Sequence, residues 1–230
     1  KLLSVKTRRP GSTRAAFRSH YEERHVPLGL SFIDRFRWSR YVRNHVLEVR
    51  SGAVEFDCLT EFWFASREDQ AGTRAFAASP EFAVLDEDDP RFLDVSKRLS
   101  FEQAEELVAG ERPAFQPPGT RRVCAIFVRP ASVDPVVFAR SLDAELRRIA
   151  SDELEAGTWL TVDRRIGDGP QPERLAAIVS IGSPPGRAPA RGSWKGEVEP
   201  EAVFVAEPGP TTEQVQTIAA RVVEAFAQPQ

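Results

Sequence analysis

Two stretches of the sequence open in the same way, and this repetition constrains the fold more than any other feature. "KLLSVKTRRPGSTRAAF" and "RVCAIFVRPASVDPVVF" each combine an apolar run, a basic residue followed by proline, and the signals of a helix start. Pro10 and Pro130 occupy matching places in the two stretches. A strand, a proline and a helix that recur after about 120 residues indicate an internal repeat.

The stretch "RPAFQPPGT" separates the two blocks and is rich in proline and glycine. Such a composition is typical of a linker. We therefore predict a first domain at 1–111, a linker at 112–120 and a second domain at 121–230. Two domains of about 100–120 residues each are an ordinary size for globular domains.

Alternation of apolar and polar residues indicates strands, and capping residues indicate helix starts. The predicted strands are 2–7, 38–49, 55–64, 159–166, 175–181 and 202–206, with a weaker one at "DVSKRL". The predicted helix starts are near Ser12, at Ser66, at Asp134-Pro135 and at Thr211, the last helix running to about Phe226. Ser100 and Gln103 predict a further short helix to Val108, and 182–199 is predicted to be loop.

The order strand-helix-strand-strand-helix, with a weak final strand, is typical of the ferredoxin-like α+β plan. Helices cover one face of such a sheet and leave the other face in need of a partner. Two copies in one chain can supply that partner internally. We therefore predict tandem ferredoxin-like domains with antiparallel sheets, fused as a pseudo-dimer.

The composition excludes several classes of protein. A formal net charge of −3 argues against binding to nucleic acid or to a membrane surface. No apolar run approaches the roughly 20 residues of a membrane helix, and the start does not resemble a secretory signal. The expected location is the cytoplasm. Cys58 and Cys124 lie in apolar runs, where buried thiols are expected.

Two of the three histidines lie in "SHYEERHVPLGL". On a regular helix His20 and His25 would lie roughly 140° apart, which rules out a shared metal on one face. Tyr21 and His25 are four residues apart and share a face. Pro27 is expected to end the helix near His25, where the negative end of the helix dipole would favour an imidazolium suited to proton transfer. The alternative is that His25 only caps carbonyls. His20 is expected to pack or to form a hydrogen bond at the rim.

Polar and titratable side chains alternate along the second and third strands. Tyr41, Arg43 and His45 share one face of the second strand. Asp57, Glu61 and Trp63 share one face of the third strand. We expect these to form a single polar face opposite an apolar, helix-covered one. Burial of such groups costs free energy unless they pair with each other or bind a ligand. The alternative is that this face of the sheet is solvated.

The acidic run "LDEDDPRFLD" has adjacent carboxylates and no loop glycine, unlike a calcium loop. We expect a solvated loop that ends a helix, and no metal. The sequence also has no P-loop, GxGxxG, CxxC pair or GxSxG.

At these residues the first block resembles the EthD family of dimeric α+β barrel proteins. The similar stretches are "RRPGSTRAAFRSHYEERHVPL", "YVRNHV", "FDCLTEFWFASREDQ" and "SPEFAVLDEDDPRFLD". The resemblance implies a small cupped barrel around one hydrophobic, oxygenated molecule. It identifies His25 with the signature histidine, His45 with the second-strand histidine, and Asp57 and Glu61 with the acidic positions. The second block resembles only the general layout and has no histidine, so a catalytic signature histidine would make only the first block active.

These features predict a cofactor-independent lyase or isomerase that dehydrates, decarboxylates or cyclises a small carbonyl, aromatic or polyketide-like compound. The expected catalytic residues are His25, His45 and Glu61. The expected substrate-binding residues are Tyr21, Tyr41, Arg43, Asp57 and Trp63. One alternative is a non-catalytic small-molecule-binding or accessory protein of a catabolic pathway. A lesser one is an oxidoreductase that uses oxygen, or haem held by His25 or His45. A homodimer of fused pseudo-dimers would be compatible with each.

Overall fold

The computed structural model describes residues 1–113, 116–166, 175–187, 194 and 198–210. The chain divides into two compact units. The histidine unit comprises Leu2–His45 and Phe56–Leu99, together with the described residues Gly209 and Pro210. The second unit comprises Lys1, Val46–Glu55 and Ser100–Pro208. Residues 100–111 thus group with the second unit, whereas we placed them in the first domain; the predicted domain boundaries stay a prediction.

Helices and strands are interspersed along the described residues. Those between Leu2 and Phe92 are β1 (Leu2–Lys6), α1 (Arg14–His20), a π-helical turn (Tyr21–His25), α2 (Val26–Leu30), α3 (Ile33–Phe36), β2 (Trp38–Ser51), β3 (Cys58–Phe64), α4 (Arg67–Ala77) and α5 (Ala83–Phe92). Short 3₁₀ turns lie at Pro80–Phe82 and Val95–Lys97. The elements that follow are β4 (Leu99–Gly110), β5 (Arg121–Val128), α6 (Pro135–Asp152), β6 (Trp159–Arg165), β7 (Leu175–Ser183) and β8 (Ala202–Pro208).

This architecture confirms the predicted α+β class with antiparallel strands. In the histidine unit β3 pairs with β1 on one side and β2 on the other. In the second unit the order is β8–β5–β7–β6–β4, and every pair is antiparallel. The tandem pseudo-dimer remains a prediction. The expected last helix from Thr211 to Phe226 lies outside the described residues.

Local capping signals are confirmed where they were strongest. The Ser66 hydroxyl accepts a hydrogen bond from the Asp69 N–H at 3.0 Å and begins α4. The Asp134 carboxylate accepts from the N–H of Val136 at 2.8 Å, with proline at the start of α6. This amphipathic helix covers one face of the second unit's sheet with an apolar core. The helix contributes Phe138, Leu142, Leu146 and Ile149 to that core.

The region from Asp94 to Val108 was predicted wrongly. "DVSKRL" forms a 3₁₀ turn at Val95–Lys97, and the Asp94 side chain accepts a hydrogen bond from its first turn. Ser100 and Gln103 do not begin a helix, because they lie in β4. Phe101 and Gln103 are buried while their neighbours are less so, a period of two that sheet pairing with β6 favours over the capping signal.

The register of β2 and β3 corrects the predicted polar face. Tyr41 pairs with Phe62 and His45 with Cys58, whereas Glu61 pairs with Val42. Directly opposed residues of an antiparallel pair project to the same face. His45 and Glu61 therefore lie on opposite faces of the sheet, and the titratable residues do not form one surface.

The helix that carries the first two histidines does not end at Pro27. The Val26 N–H donates to the Tyr21 carbonyl, which closes the wide π-helical turn, and Val26 keeps right-handed helical dihedral angles. Pro27 then lies in the first turn of α2, where its missing N–H is tolerated. The expected helix end at His25, and with it the dipole argument for its protonation, is wrong.

Cys58 and Cys124 are free, buried thiols, as predicted. No helix among the residues described here is long and apolar enough to span a bilayer.

Candidate active site

A pocket of about 130 Å³ opens in the histidine unit, between the helices and the sheet face that they cover. Its apolar wall includes Leu30, Phe36, Trp38, Phe62, Phe82 and Leu85. Its polar lining consists of Lys6, Tyr21, His25, Tyr41, Asp89 and Arg98. The volume is close to that of an engineered cavity of ~150 Å³ that binds benzene. It therefore suits a ligand with a single ring or its aliphatic equivalent.

His25 and His20 converge on one carboxylate. Nδ1 of His25 lies 3.1 Å from Oδ2 of Asp88, and Nε2 of His20 lies 3.0 Å from Oδ1 of the same residue. Phe92 lies between the two imidazoles, with ring centroids 4.8 Å from His20 and 4.9 Å from His25. Burial alone would raise the pKa of Asp88, but the hydrogen bonds from His25 and His20 bring it below its ordinary value. The carboxylate is thus ionised and oriented.

The π-helical turn explains why the predicted separation of the two imidazoles is wrong. Its hydrogen bonds run from residue i to i+5, so residues five apart are stacked about one turn apart. His20 and His25 therefore face the same way. Tyr21 and His25 still contact each other as predicted, with ring centroids 5.6 Å apart.

Asp88 and Asp89 lie on α5, which corrects the interpretation of the acidic run as a solvated loop. Both are buried, at 6% and 5% exposure. Asp89 forms an ion pair with Arg98 and lies 3.6 Å from His25 Nδ1. The partners of both aspartates hold the adjacent carboxylates in place and allow the run to continue as a helix. Sequence reasoning missed both aspartates because the histidines that bind Asp88 lie 63 and 68 residues away and Arg98 lies beyond the end of α5.

Two phenols lie against the pocket. The Tyr21 hydroxyl is 2.9 Å from that of Thr60 and 3.4 Å from that of Tyr41. Burial is the main cause that raises the pKa of both tyrosines above the ordinary value of 10.0. Tyr41 stacks on Phe62 with centroids 5.1 Å apart. Both phenols are therefore neutral hydrogen-bond donors at physiological pH.

Other predicted site residues form a separate buried cluster around Glu22. The Nε of Arg43 donates to both Glu22 oxygens at 3.0 Å, and Nε2 of His45 lies 2.5 Å from Oε1. Arg43 also donates to the Pro210 carbonyl. A Cβ at Gly209 would lie 2.5 Å from Glu22 Oε1, which shows how closely the cluster is enclosed. Arg43 and His45 do not line the pocket, and the guanidinium of Arg43 is already paired.

Three further predicted site residues lie away from the pocket. Asp57 accepts hydrogen bonds at 2.9 Å from the Arg8 N–H and from Nε of Arg14, and so fastens the entry to α1. Trp63 lies under the Arg40 guanidinium at 4.8 Å. Glu61 is fully buried on the sheet face away from the pocket. Of the predicted site residues, His25, Tyr21 and Tyr41 come together.

Three solved structures are similar to the chain. A candidate chlorite dismutase is 11% identical, with coverage of 96% of this chain and 98% of that one, and a TM-score of 0.51. Chlorite dismutase from Candidatus Nitrospira defluvii, in a cyanide complex, is 10% identical over 95% of this chain and 93% of that one, with a TM-score of 0.45. A candidate monooxygenase from Lactobacillus acidophilus is 12% identical over 79% and 74%, with a TM-score of 0.41.

The first of these structures shares the α+β fold of the chain. No curated protein shows significant sequence similarity to this chain. Residues 9–96 match the model of the EthD domain, which confirms the family resemblance of the first half.

Proposed function

We propose that the histidine unit is a cofactor-independent acid/base enzyme, of lyase or isomerase type, for a small oxygenated aromatic or carbonyl compound. The observation that carries this proposal is the hydrogen bond between His25 and Asp88 beside an aromatic pocket that His25 lines. A base oriented by a third group is the arrangement that proton transfer at a bound substrate requires.

The tautomer of His25 follows from its partner. An ionised carboxylate only accepts hydrogen bonds, so the Nδ1 of His25 carries a proton toward Asp88. In the neutral imidazole this leaves the lone pair on Nε2. That nitrogen takes a proton from the substrate and returns it, while Asp88 stabilises the imidazolium formed in between.

The phenols supply the complementary electrophilic role. Proton removal next to a carbonyl places negative charge on the carbonyl oxygen. Tyr21 and Tyr41 stay neutral and can donate hydrogen bonds to that oxygen. The aromatic walls exclude water and select an apolar body.

Exchange of hydrogen for deuterium at the α-carbon of phenylacetone, followed by NMR in D₂O, tests the proposal without the natural substrate. We expect the protein to accelerate the exchange, and His25→Gln to slow it by about 10²–10⁴-fold, the usual contribution of a general base. His20→Gln is the matched control, because His20 bonds to the same carboxylate but does not line the pocket. It should lose less than about tenfold. Exchange at the same rate in wild type and His25→Gln would refute the proposal.

A non-catalytic binding protein is the second candidate. It gains support because the pocket encloses His25 but not His45, so the predicted pair of catalytic histidines is not assembled. Tight binding of phenylacetone with no exchange above the buffer rate would favour this alternative.

A haem group does not fit the histidines as placed. Nε2 of His45 is buried against Glu22. The space beside His25 is about 130 Å³, whereas even pockets for drug-sized ligands span roughly 300–1,000 Å³.

A further inference from the structure

Lys6 is an unexpected residue on the covered face of the sheet. It ends β1 and pairs with Cys58, a member of the apolar cluster under the helices. Residues opposed in this register share a face, so the Lys6 side chain projects toward the helices. There it lines the same pocket as His25 and Asp89. Burying a charged amine on such a face costs free energy unless the amine is paired, so an unpaired lysine here suggests a role in the pocket.

No carboxylate forms a salt bridge with the Lys6 amine among the residues that the structure describes. Asp89 lies in the same lining, but its carboxylate is paired with Arg98. Among the residues that the structure describes, Lys6 forms no ion pair of its own. Burial lowers the pKa of Lys6; the charge of Asp89 opposes this, and that of Arg98 adds to it. Desolvation and a neighbouring cation are the two features that make a lysine nucleophilic.

We propose that Lys6 is a catalytic residue that forms an imine with an aldehyde or ketone bound in the pocket. The lone pair of the neutral Nζ amine attacks the carbonyl carbon, the C=O π electrons move to oxygen, and one Nζ proton is transferred to that oxygen. The resulting carbinolamine loses its hydroxyl with the second Nζ proton as water, and a C=N bond to Nζ remains.

This inference rests on the proposed function, because it names the substrate class of the same pocket. A protonated imine withdraws electrons from the adjacent carbon more strongly than a ketone does. His25 lines the pocket with Lys6 and would remove the proton from that carbon. The released water and the returned proton balance the cycle when the imine is hydrolysed.

The test is reductive trapping of the full chain with benzaldehyde and sodium cyanoborohydride at pH 7. Benzaldehyde has no α-hydrogen, so trapping does not depend on the base. Intact mass and peptide mapping should find one benzyl group at Lys6, formed faster than at the exposed Lys97, because the lowered pKa of Lys6 leaves more of its amine unprotonated at pH 7. Lys6→Arg should remove this label and Lys97→Arg should not.

The outcomes separate this inference from the proposed function. Labelling of Lys6 that persists in His25→Gln supports the imine, whether or not α-carbon exchange is found. Labelling of Lys6 no faster than of Lys97 overturns the imine, even where exchange depends on His25; Lys6 is then a cation for an anionic ligand. Mapping of the wild-type protein decides the site even if Lys6→Arg does not fold.

Discussion

Replacement of Glu22 by Gln should destabilise the histidine unit by about 3 kcal/mol, the low end of the loss expected when one partner of a buried ion pair is removed. Glu22 is 8% exposed and Arg43 is 1% exposed, so the guanidinium has almost no access to water that could replace the carboxylate. The two 3.0 Å bonds from Arg43 Nε and the 2.5 Å contact with His45 all end on Glu22. The amide of Gln retains one acceptor oxygen, which keeps the loss at the low end.

Urea unfolding followed by tryptophan fluorescence measures this change, with an unchanged m-value as evidence that the unfolded state is the same. Glu23→Gln is the matched control, because Glu23 is the exposed neighbour in the same π-helical turn. It should change stability by less than about 0.5 kcal/mol.

The pH dependence supplies a second test of the same cluster. Burial alone would raise the pKa of Glu22, but His45 and Arg43 hold it below the ordinary value of 4.5. A depressed pKa in the folded state gives stability that is present above pH 4.5 and lost as the pH falls through the folded value. The wild type should lose this contribution on acidification and Glu22→Gln should not. Equal unfolding free energies for Glu22→Gln and Glu23→Gln would refute the reasoning.

The remaining predictions concern the pocket. Asp88→Asn should slow α-carbon exchange by about 10²-fold, because an amide can donate to His25 Nδ1 and so favour the wrong tautomer; kinetics over a pH series measures this loss. Absorbance at 295 nm should show no tyrosinate up to pH 10, because Tyr21 and Tyr41 are the only tyrosines and both have a raised pKa. The stability that the two neutral phenols contribute is therefore lost only as the pH rises above 10. Phe92→Ala should lower the unfolding free energy by about 3–5 kcal/mol, since Phe92 is 2% exposed; a loss below about 1 kcal/mol in urea would contradict its central packing role.

The sequence contains local signals that tertiary structure does not override. The capping residues Ser66 and Asp134 begin helices because their side chains bond N–H groups only two or three residues away. The apolar alternation predicts the ends of β2 to within two residues and those of β3 to within three. The contact of Tyr21 with His25 also needs only one helical segment. Each of these features depends on neighbours that are close in the chain.

Features that depend on distant neighbours could not be predicted in this way. The register between β2 and β3 determines which of their residues share a face, and neither strand encodes it alone. This register places His45 and Glu61 on opposite faces of the sheet. The sequence pattern predicts that the aspartates of α5 are exposed to solvent, because their partners lie on other elements.

The sequence by itself determined the class of fold and the contact of Tyr21 with His25, because short-range hydrogen bonds and periodicity decide those features. Its motifs carried the resemblance of the first half to the EthD family. Tertiary structure decided the partner of His25, the convergence of two imidazoles through a π-helical turn, and the place of Lys6 in the pocket. The physical reason is that the buried carboxylates of α5 are stable only beside their partners, and only the folded chain brings His25 to Asp88 and Arg98 to Asp89.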